Sequence, residues 1–221
     1  MPTTPRLVVF DWDGTLVDSI GAIEACALRA LEDLGRTPPD EHAVREVMGL
    51  GLDLVMARLL PDGDRAELDR LIEGYRHHWL THYRHLTVPF GASRSVLEAL
   101  TERELMLGVA TGKGRRGLDH DLDTTGFRPF FHATRTADEA PSKPHPQMLL
   151  DVLDELGVRP KDALMVGDTT FDLDMARSAR VPAVAVTSGH HEREALLASE
   201  PVACLSGVGE LIEWFDRELS V

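Results

Sequence analysis

The sequence predicts an α/β fold: a parallel sheet flanked by helices, interrupted after its first strand by an all-helical unit. Three observations predict it. Short apolar runs of strand length (LVVF at 7–10, LMLGVA at 105–110, ALMV at 163–166, AVAV at 183–186) are continuous, as expected of strands buried on both faces. Stretches of helical period alternate with them, as βαβ crossovers require. Residues 17–88, by contrast, read as nearly pure helix, enough for a second small domain.

Taken in order, Leu7–Phe10 is the first strand, and Gly14 allows the tight turn beyond it. Asp18 or Ser19 can cap a helix with apolar residues at Ile23, Ala27, Ala30, Leu31 and Leu34, ended by Gly35 and Pro38-Pro39. A short helix from about Asp40 carries Val44, Val47 and Met48 and breaks at Gly49-Leu50-Gly51. Another runs from Leu52 to Leu60 and stops at Pro61; a long one spans about Asp64 to His85. Pro89-Phe90-Gly91 marks the return to the sheet. A helix around Val96–Leu100 precedes the second strand, which ends at Thr111. Phe130–Thr134 reads as a weaker third strand, and Pro144 and Pro146 sit in the first turn of the next helix. Ala163–Val166, Ala183–Val186 and Val202–Leu205 are further strands, followed by a tail helix with Val208, Leu211, Ile212, Phe215 and Leu219.

Composition narrows the function. The 221 residues suffice for a substantial core, and 43% hydrophobic with 27% charged residues is ordinary for a globular protein. A formal net charge of −14 argues against nonspecific binding to nucleic acid or to an anionic membrane surface. No apolar run approaches the roughly 20 residues of a membrane span. Two distant cysteines, Cys26 and Cys204, read as buried free thiols, and the expected location is cytoplasmic. The N-terminal MPTTPR precedes an apolar run far shorter than that of a secretory signal. Only three of the 23 basic residues are lysines: Lys113, Lys143 and Lys161.

Several strands end in polar residues, and in a parallel sheet all carboxyl ends face one way, so these groups can converge. The first strand gives Asp11 and Asp13. The second gives Thr111 and the turn Gly112-Lys113-Gly114. The fourth gives Asp168, with Asp172 one helical turn on, and Lys143 lies in the loop before the Pro144 helix. This set suits phosphoryl transfer through a covalent aspartate. A carboxylate can attack phosphorus and split one hard step into two. Mg²⁺, a hard cation taking oxygen ligands, could be held by Asp11, Asp168 and a backbone carbonyl. Thr111, the Gly112 amide and Lys143 would bind phosphoryl oxygens. Asp13 could protonate the leaving oxygen and then deprotonate the attacking water.

In order, Asp11-Trp12-Asp13-Gly14-Thr15-Leu16, Thr111, Lys143-Pro144 and Gly167-Asp168-Thr169-Thr170-Phe171-Asp172 resemble the four motifs of the haloacid dehalogenase superfamily. Pro89-Phe90-Gly91, Val186-Thr187-Ser188-Gly189 and the helical insertion look like its phosphoglycolate phosphatase-like branch. The resemblance implies a Rossmann-like core of residues 1–16 and 89–221 with a helical cap over 17–88. It implies Asp11 as nucleophile and Asp13 as acid/base. It also implies Mg²⁺ held by Asp11, Asp13 (through its carbonyl) and Asp168, with Asp172 supporting the metal site. The expected activity is a Mg²⁺-dependent phosphatase acting on a small phosphorylated metabolite, of the phosphoglycolate or sugar phosphate type. A β-phosphoglucomutase-like phosphomutase is the alternative, and a phosphorylated regulatory domain a remote one, since receiver domains carry their aspartate after the third strand. Dehalogenases of the family lack a carboxylate at the position of Asp13, and the phosphonate-cleaving relatives need a cap lysine, whereas no lysine precedes Lys113. Either a monomer or a homodimer is compatible with the sequence.

Other signals point elsewhere. Gly112-Lys113 is not a nucleotide-binding P-loop, because position 107 is Leu and Gly114 stands where Ser or Thr is required. His77, His78, His82 and His85 read as a solvated helix face, Arg45 and Arg58 as surface residues, and His190-His191 as capping or flanking a helix. Arg115 and Arg116 either add positive potential beside the phosphate site or are merely solvated. Arg180 stands where relatives often have a glycine closing the helix after the last motif, which calls the local helix end into question.

Overall fold

A computed structural model of the chain describes residues 5–219, without the side chains of residues 41, 42 and 219. The expectations attached to residues 1–4 and 220–221, including the outer core boundaries, lie outside the described residues, as does the side chain of Leu219.

The chain begins with β1 (Leu7–Phe10) and then makes a two-residue strand β2 (Val17–Asp18). Next come α1 (Ile20–Asp33), α2 (Glu41–Arg45), α3 (Leu52–Leu59) and α4 (Arg65–His78). The end of α4 continues as a π-helical turn over Trp79–Tyr83 and a 3₁₀ turn over Arg84–Leu86. β3 (Val88–Pro89) pairs antiparallel with β2, so the insertion leaves and returns through one small ribbon. The rest alternates: α5 (Ser93–Glu102), β4 (Met106–Thr111), α6 (Arg115–Thr125), β5 (Ala133–Thr136), α7 (Gln147–Leu156) and β6 (Ala163–Gly167). It ends with α8 (Thr170–Ser178), β7 (Ala183–Val186), α9 (Arg193–Ala198), β8 (Ala203–Leu205) and α10 (Leu211–Leu219).

The main sheet has six parallel strands in the order β5-β4-β1-β6-β7-β8. β1 lies inside it, and its four residues are fully buried. Alternate residues enter opposite cores: Val8 and Phe10 pack with α5, α6 and α10, while Leu7 and Val9 pack with α7 and α8. Both faces are therefore apolar, which explains the continuous rather than alternating run. The helices of the insertion have their own apolar cluster around Ile23, Leu31, Met56 and Leu71, and Phe171 of α8 packs against it. Among the described residues no helix is long and apolar enough to cross a membrane.

Some elements differ from expectation. The third strand starts at Ala133, not Phe130, because Phe127 and Phe131 pack edge-on against Trp12 at 6.3 and 6.1 Å. That aromatic run plugs the core. Helix α6 was not expected: only Leu118 and Leu122 are apolar and buried along it, too sparse a stripe to read. The single long helix expected to His85 is regular only to His78. Its start is as read, with Asp64 and Glu67 forming a reciprocal capping box. Arg180 does take the left-handed conformation, φ 60°, just past the end of α8.

Candidate active site

The site lies at the carboxyl end of the sheet. In the β1–β6 register Phe10 pairs with Val166, so Asp11 and Asp168 leave adjacent strands at nearly the same height. Asp11 is 2% exposed and Asp168 fully buried. One ligand oxygen from each of Asp11, Asp168 and Asp172 lies within 4.8 Å of the others. Three buried carboxylates this close repel unless cations intervene.

One protein cation does, and a histidine ring faces the third acid. The Lys143 ammonium is fully buried and makes ion pairs with Asp11 Oδ1 at 2.7 Å and Asp172 Oδ1 at 2.6 Å. The other oxygen of Asp172 accepts from the Thr169 hydroxyl at 2.6 Å and from its backbone N–H at 3.1 Å, so Asp172 also caps α8. Asp168 Oδ2 faces His190 Nδ1 at 3.0 Å and accepts its backbone N–H at 2.9 Å, while Oδ1 accepts from the Thr15 hydroxyl at 2.8 Å. Gly14, at φ 80°, and Gly189 pass so close to this carboxylate that a Cβ on either would collide with it.

The charges respond to burial and to one another. Burial pushes the Asp11 carboxyl up to about 8, against the pull of Lys143 and with the help of Asp172 and Asp168. Burial alone would lower the Lys143 ammonium, but Asp11 and Asp172 hold it above the ordinary lysine value. Asp168 resists its burial through His190 and Thr15 and stays below the usual carboxylate value; His190 is raised in return, against its own burial. An all-oxygen donor set with the nucleophile candidate held partly toward its neutral form fits a hard divalent cation, which would favour ionisation of all three acids.

Asp13 stands apart from this cluster. Its Oδ1 accepts from the Ser19 hydroxyl at 2.7 Å, and Lys113 Nζ reaches both oxygens, at 2.9 and 3.1 Å. Ser19 occupies the N-cap position of α1 yet makes no capping bond with its side chain; the hydroxyl is given to Asp13 instead, which corrects the capping role expected for it or Asp18. Thr111 is buried, and its hydroxyl accepts from the Lys113 backbone N–H at 3.2 Å, shaping the turn. A Cβ on Gly112 would lie 2.7 Å from the Gly49 carbonyl oxygen, so the inserted helices come down on this turn through backbone contact. Gly51 N–H also donates to Ser142 Oγ at 2.7 Å, next to Lys143.

All seven residues singled out from the sequence thus sit at one end of the sheet, in two groups bridged by different lysines. Sequence reading missed Thr15, Ser19, Lys113 and His190 as partners of the acids. His190 and His191 were expected to cap or flank a helix, and His191 Nδ1 does accept the Thr170 backbone N–H at 3.0 Å at the start of α8; nothing in the local sequence signals that His190 reaches Asp168. Arg58 was read as a surface residue and is exposed, with its guanidinium 5.6 Å from the Phe171 ring centroid. Arg45 was read the same way, but pairs with the buried Glu24 at 2.6 Å. His78 pairs with Asp33 at 2.7 Å.

Comparison with known proteins places the chain in a family. The haloacid dehalogenase-like hydrolase family model matches residues 8–186. A phosphoglycolate phosphatase of Pseudomonas putida is 33% identical over 216 residues, spanning 95% of this chain and 79% of that protein. One of Chromobacterium violaceum is 31% identical, spanning 94% and 96%. The crystal structure of a hydrolase from Pseudomonas syringae superposes with a TM-score of 0.87 at 22% identity, covering 98% of this chain and 99% of the other, which shows the shared fold. On the family model over most of its length and on these relatives, the chain belongs to the haloacid dehalogenase-like hydrolases and is phosphoglycolate phosphatase-like.

Proposed function

We propose that this phosphoric monoester hydrolase cleaves a small phosphorylated metabolite of the phosphoglycolate or sugar phosphate type through a phosphoaspartyl intermediate on Asp11. The observation that carries the reading is the cluster of three buried carboxylates around Lys143, with a fourth, Asp13, held separately on the side of the insertion. An Asp11 oxygen attacks phosphorus as the bond to the ester oxygen breaks, and Asp13 gives the departing oxygen its proton. Water then attacks the acyl phosphate, Asp13 takes its proton, and phosphate and free Asp11 are regenerated. The Thr111 hydroxyl, the Gly112 amide and Lys143 hold the phosphoryl oxygens. Asp11, Asp168 and the Asp13 carbonyl would hold Mg²⁺, with Asp172 supporting the metal site. Bound there, the ion would offset the charge between carboxylate and phosphate and favour the ionised form of Asp11.

In this reading residues 17–88 form a cap over a core of 1–16 and 89–221. The contacts of Gly49, Leu50 and Gly51 with the site support a role in excluding water and selecting the leaving group. Two free cysteines suit a cytoplasmic setting. The test is phosphate release from a panel of phosphate monoesters, with and without Mg²⁺, for the wild type and Asp11→Asn. Mg²⁺-dependent release that is lost in the variant is expected. Full activity in Asp11→Asn refutes the mechanism, and isomerised sugar phosphate without phosphate release would identify a mutase instead.

A further inference from the structure

We propose that Lys113 is a positioning residue for Asp13, and that Trp79 of the insertion holds Lys113 in that role. The proposal rests on Asp13 acting as the general acid.

Lys113 bridges two carboxylates. Its Nζ lies 2.9 and 3.1 Å from the oxygens of Asp13 and 3.2 Å from Asp121 Oδ2. Asp121 is itself held by the Trp12 indole N–H at 3.0 Å. Trp12 stands between Asp11 and Asp13 in the chain, so the turn that carries both acids and the lysine that orients one of them are tied to the same carboxylate. The remaining face of the ammonium is covered by the Trp79 ring, 4.7 Å from its centroid. Trp79 begins the π-helical turn after α4 and stacks on Tyr75 at 6.4 Å, so its place over Lys113 is set by the insertion. The side chain of Lys113 is 10% exposed and that of Asp13 15%.

This geometry gives the two lysine ammonium groups different partners. Lys143 is directed at Asp11 and Asp172; Lys113 is directed at Asp13 and Asp121. Without it two acids would face each other unpaired, and Asp13 would turn away from the leaving oxygen toward water. With it, Ser19 and Lys113 together fix both oxygens of Asp13. Trp79 places this arrangement under the control of the insertion, because the ring reaches the ammonium only with the insertion seated on the core.

A general acid matters in proportion to how poor the leaving group is. The experiment compares kcat/KM, with Mg²⁺, for an alkyl phosphate (phosphoglycolate, or the best ester of the panel above) and for p-nitrophenyl phosphate, whose leaving group departs without a proton. Asp13→Asn should lose about 10²–10⁴-fold on the alkyl ester and far less on the aryl ester. Lys113→Met should show the same asymmetry, with the alkyl loss at least about tenfold the greater. Trp79→Leu should show it more weakly. Equal losses on both esters in Lys113→Met, with the asymmetry present in Asp13→Asn, overturn the proposal alone. No asymmetry in Asp13→Asn overturns the acid assignment and the proposal with it. If Lys113→Met does not fold, Lys113→Met/Asp121→Leu removes both buried charges and is judged by the same ratio. A Trp79→Leu protein with unchanged selectivity between the esters removes Trp79 from the scheme.

Discussion

Replacing Lys143 by methionine removes the one ammonium between Asp11 and Asp172 while keeping a side chain of similar length. Lys143 and Asp172 are fully buried and the Asp11 side chain is 3% exposed, so water cannot substitute for the lost cation. Removing one partner of a buried pair costs about 3–5 kcal/mol, because the remaining charge stays desolvated. In a domain of this size that corresponds to a fall in Tm of about 6–20 °C. The measurement is urea and thermal unfolding of the EDTA-treated protein at pH 9.5, where Asp11 of the wild type is ionised, repeated at pH 5 and with Mg²⁺. The deficit should shrink at pH 5. The folded pKa of Asp11 is already raised from 3.8 to about 8, and losing Lys143 raises it further, so lowering the pH lets the folded state take up the proton that relieves the unpaired charge. Mg²⁺ should recover part of the loss, since a cation bound only to the folded state stabilises it by mass action. An EDTA-treated Lys143→Met protein within about 1 kcal/mol of wild type at pH 9.5 would refute the reasoning, because a buried charge left unpaired cannot be that cheap.

The wild type carries related signatures. Asp11 and His190 both have folded pKa values above their usual ones, so each contributes stability that is lost as pH rises. EDTA-treated protein should lose stability between about pH 4 and 8, and Mg²⁺ should flatten the profile; a profile unchanged by Mg²⁺ would count against the carboxylate cluster as the ion's site. Gly14→Ala forces a side chain into φ 80° and against Asp168, so it should cost at least about 1–2 kcal/mol in urea unfolding and most of the phosphatase activity. Arg180→Gly should do the reverse. It removes a left-handed penalty of about 1–2 kcal/mol and adds an unfolded-state entropy cost of about 0.5–1 kcal/mol, for a Tm a few degrees higher with activity unchanged.

How far the fold and site could be read from the sequence depended on whether the signal was local. β1 was legible because a strand buried on both faces needs four apolar residues in a row, and the acids beyond it stop the run abruptly. The helices of the insertion were legible from their stripes and from Gly35 and Pro61. β5 was misplaced because Phe130 and Phe131 are as apolar as a strand but pack as part of an aromatic plug under Trp12. Helix α6 was invisible because half its surface faces water and its interior face needs only two leucines. At the site, each acid was found because strand ends are written in consecutive residues. The partners that orient those acids come from 3 to 153 positions away, as with Thr169 on Asp172 and Thr15 on Asp168, and most are far apart in the chain. Such pairings are a product of topology, and one sequence does not contain them.

One compositional signal does point at them. A chain with 23 basic residues uses lysine only three times, and two of the three bridge carboxylate pairs in the site. Arginine serves elsewhere, on the surface and at Glu24, Asp123 and Glu139, where its planar fork can spread. Between two converging carboxylates a guanidinium is too wide, whereas an ammonium is a compact point charge with three donors that can face both acids at once. The two lysines also divide the labour of the proposed reaction. Lys143 serves the acid that attacks and Lys113 the acid that transfers the proton. Each can therefore be removed without touching the other's partner. A chain so rich in acid needs this separation: with a single bridging cation, nucleophile and proton donor would compete for the same charge, and ionising one would favour the other's neutral form. On this argument a Lys143→Met protein should keep the alkyl-to-aryl ratio of the wild type while losing rate on both esters, and a ratio that moved with Lys143 would show the two pairs to be one coupled network.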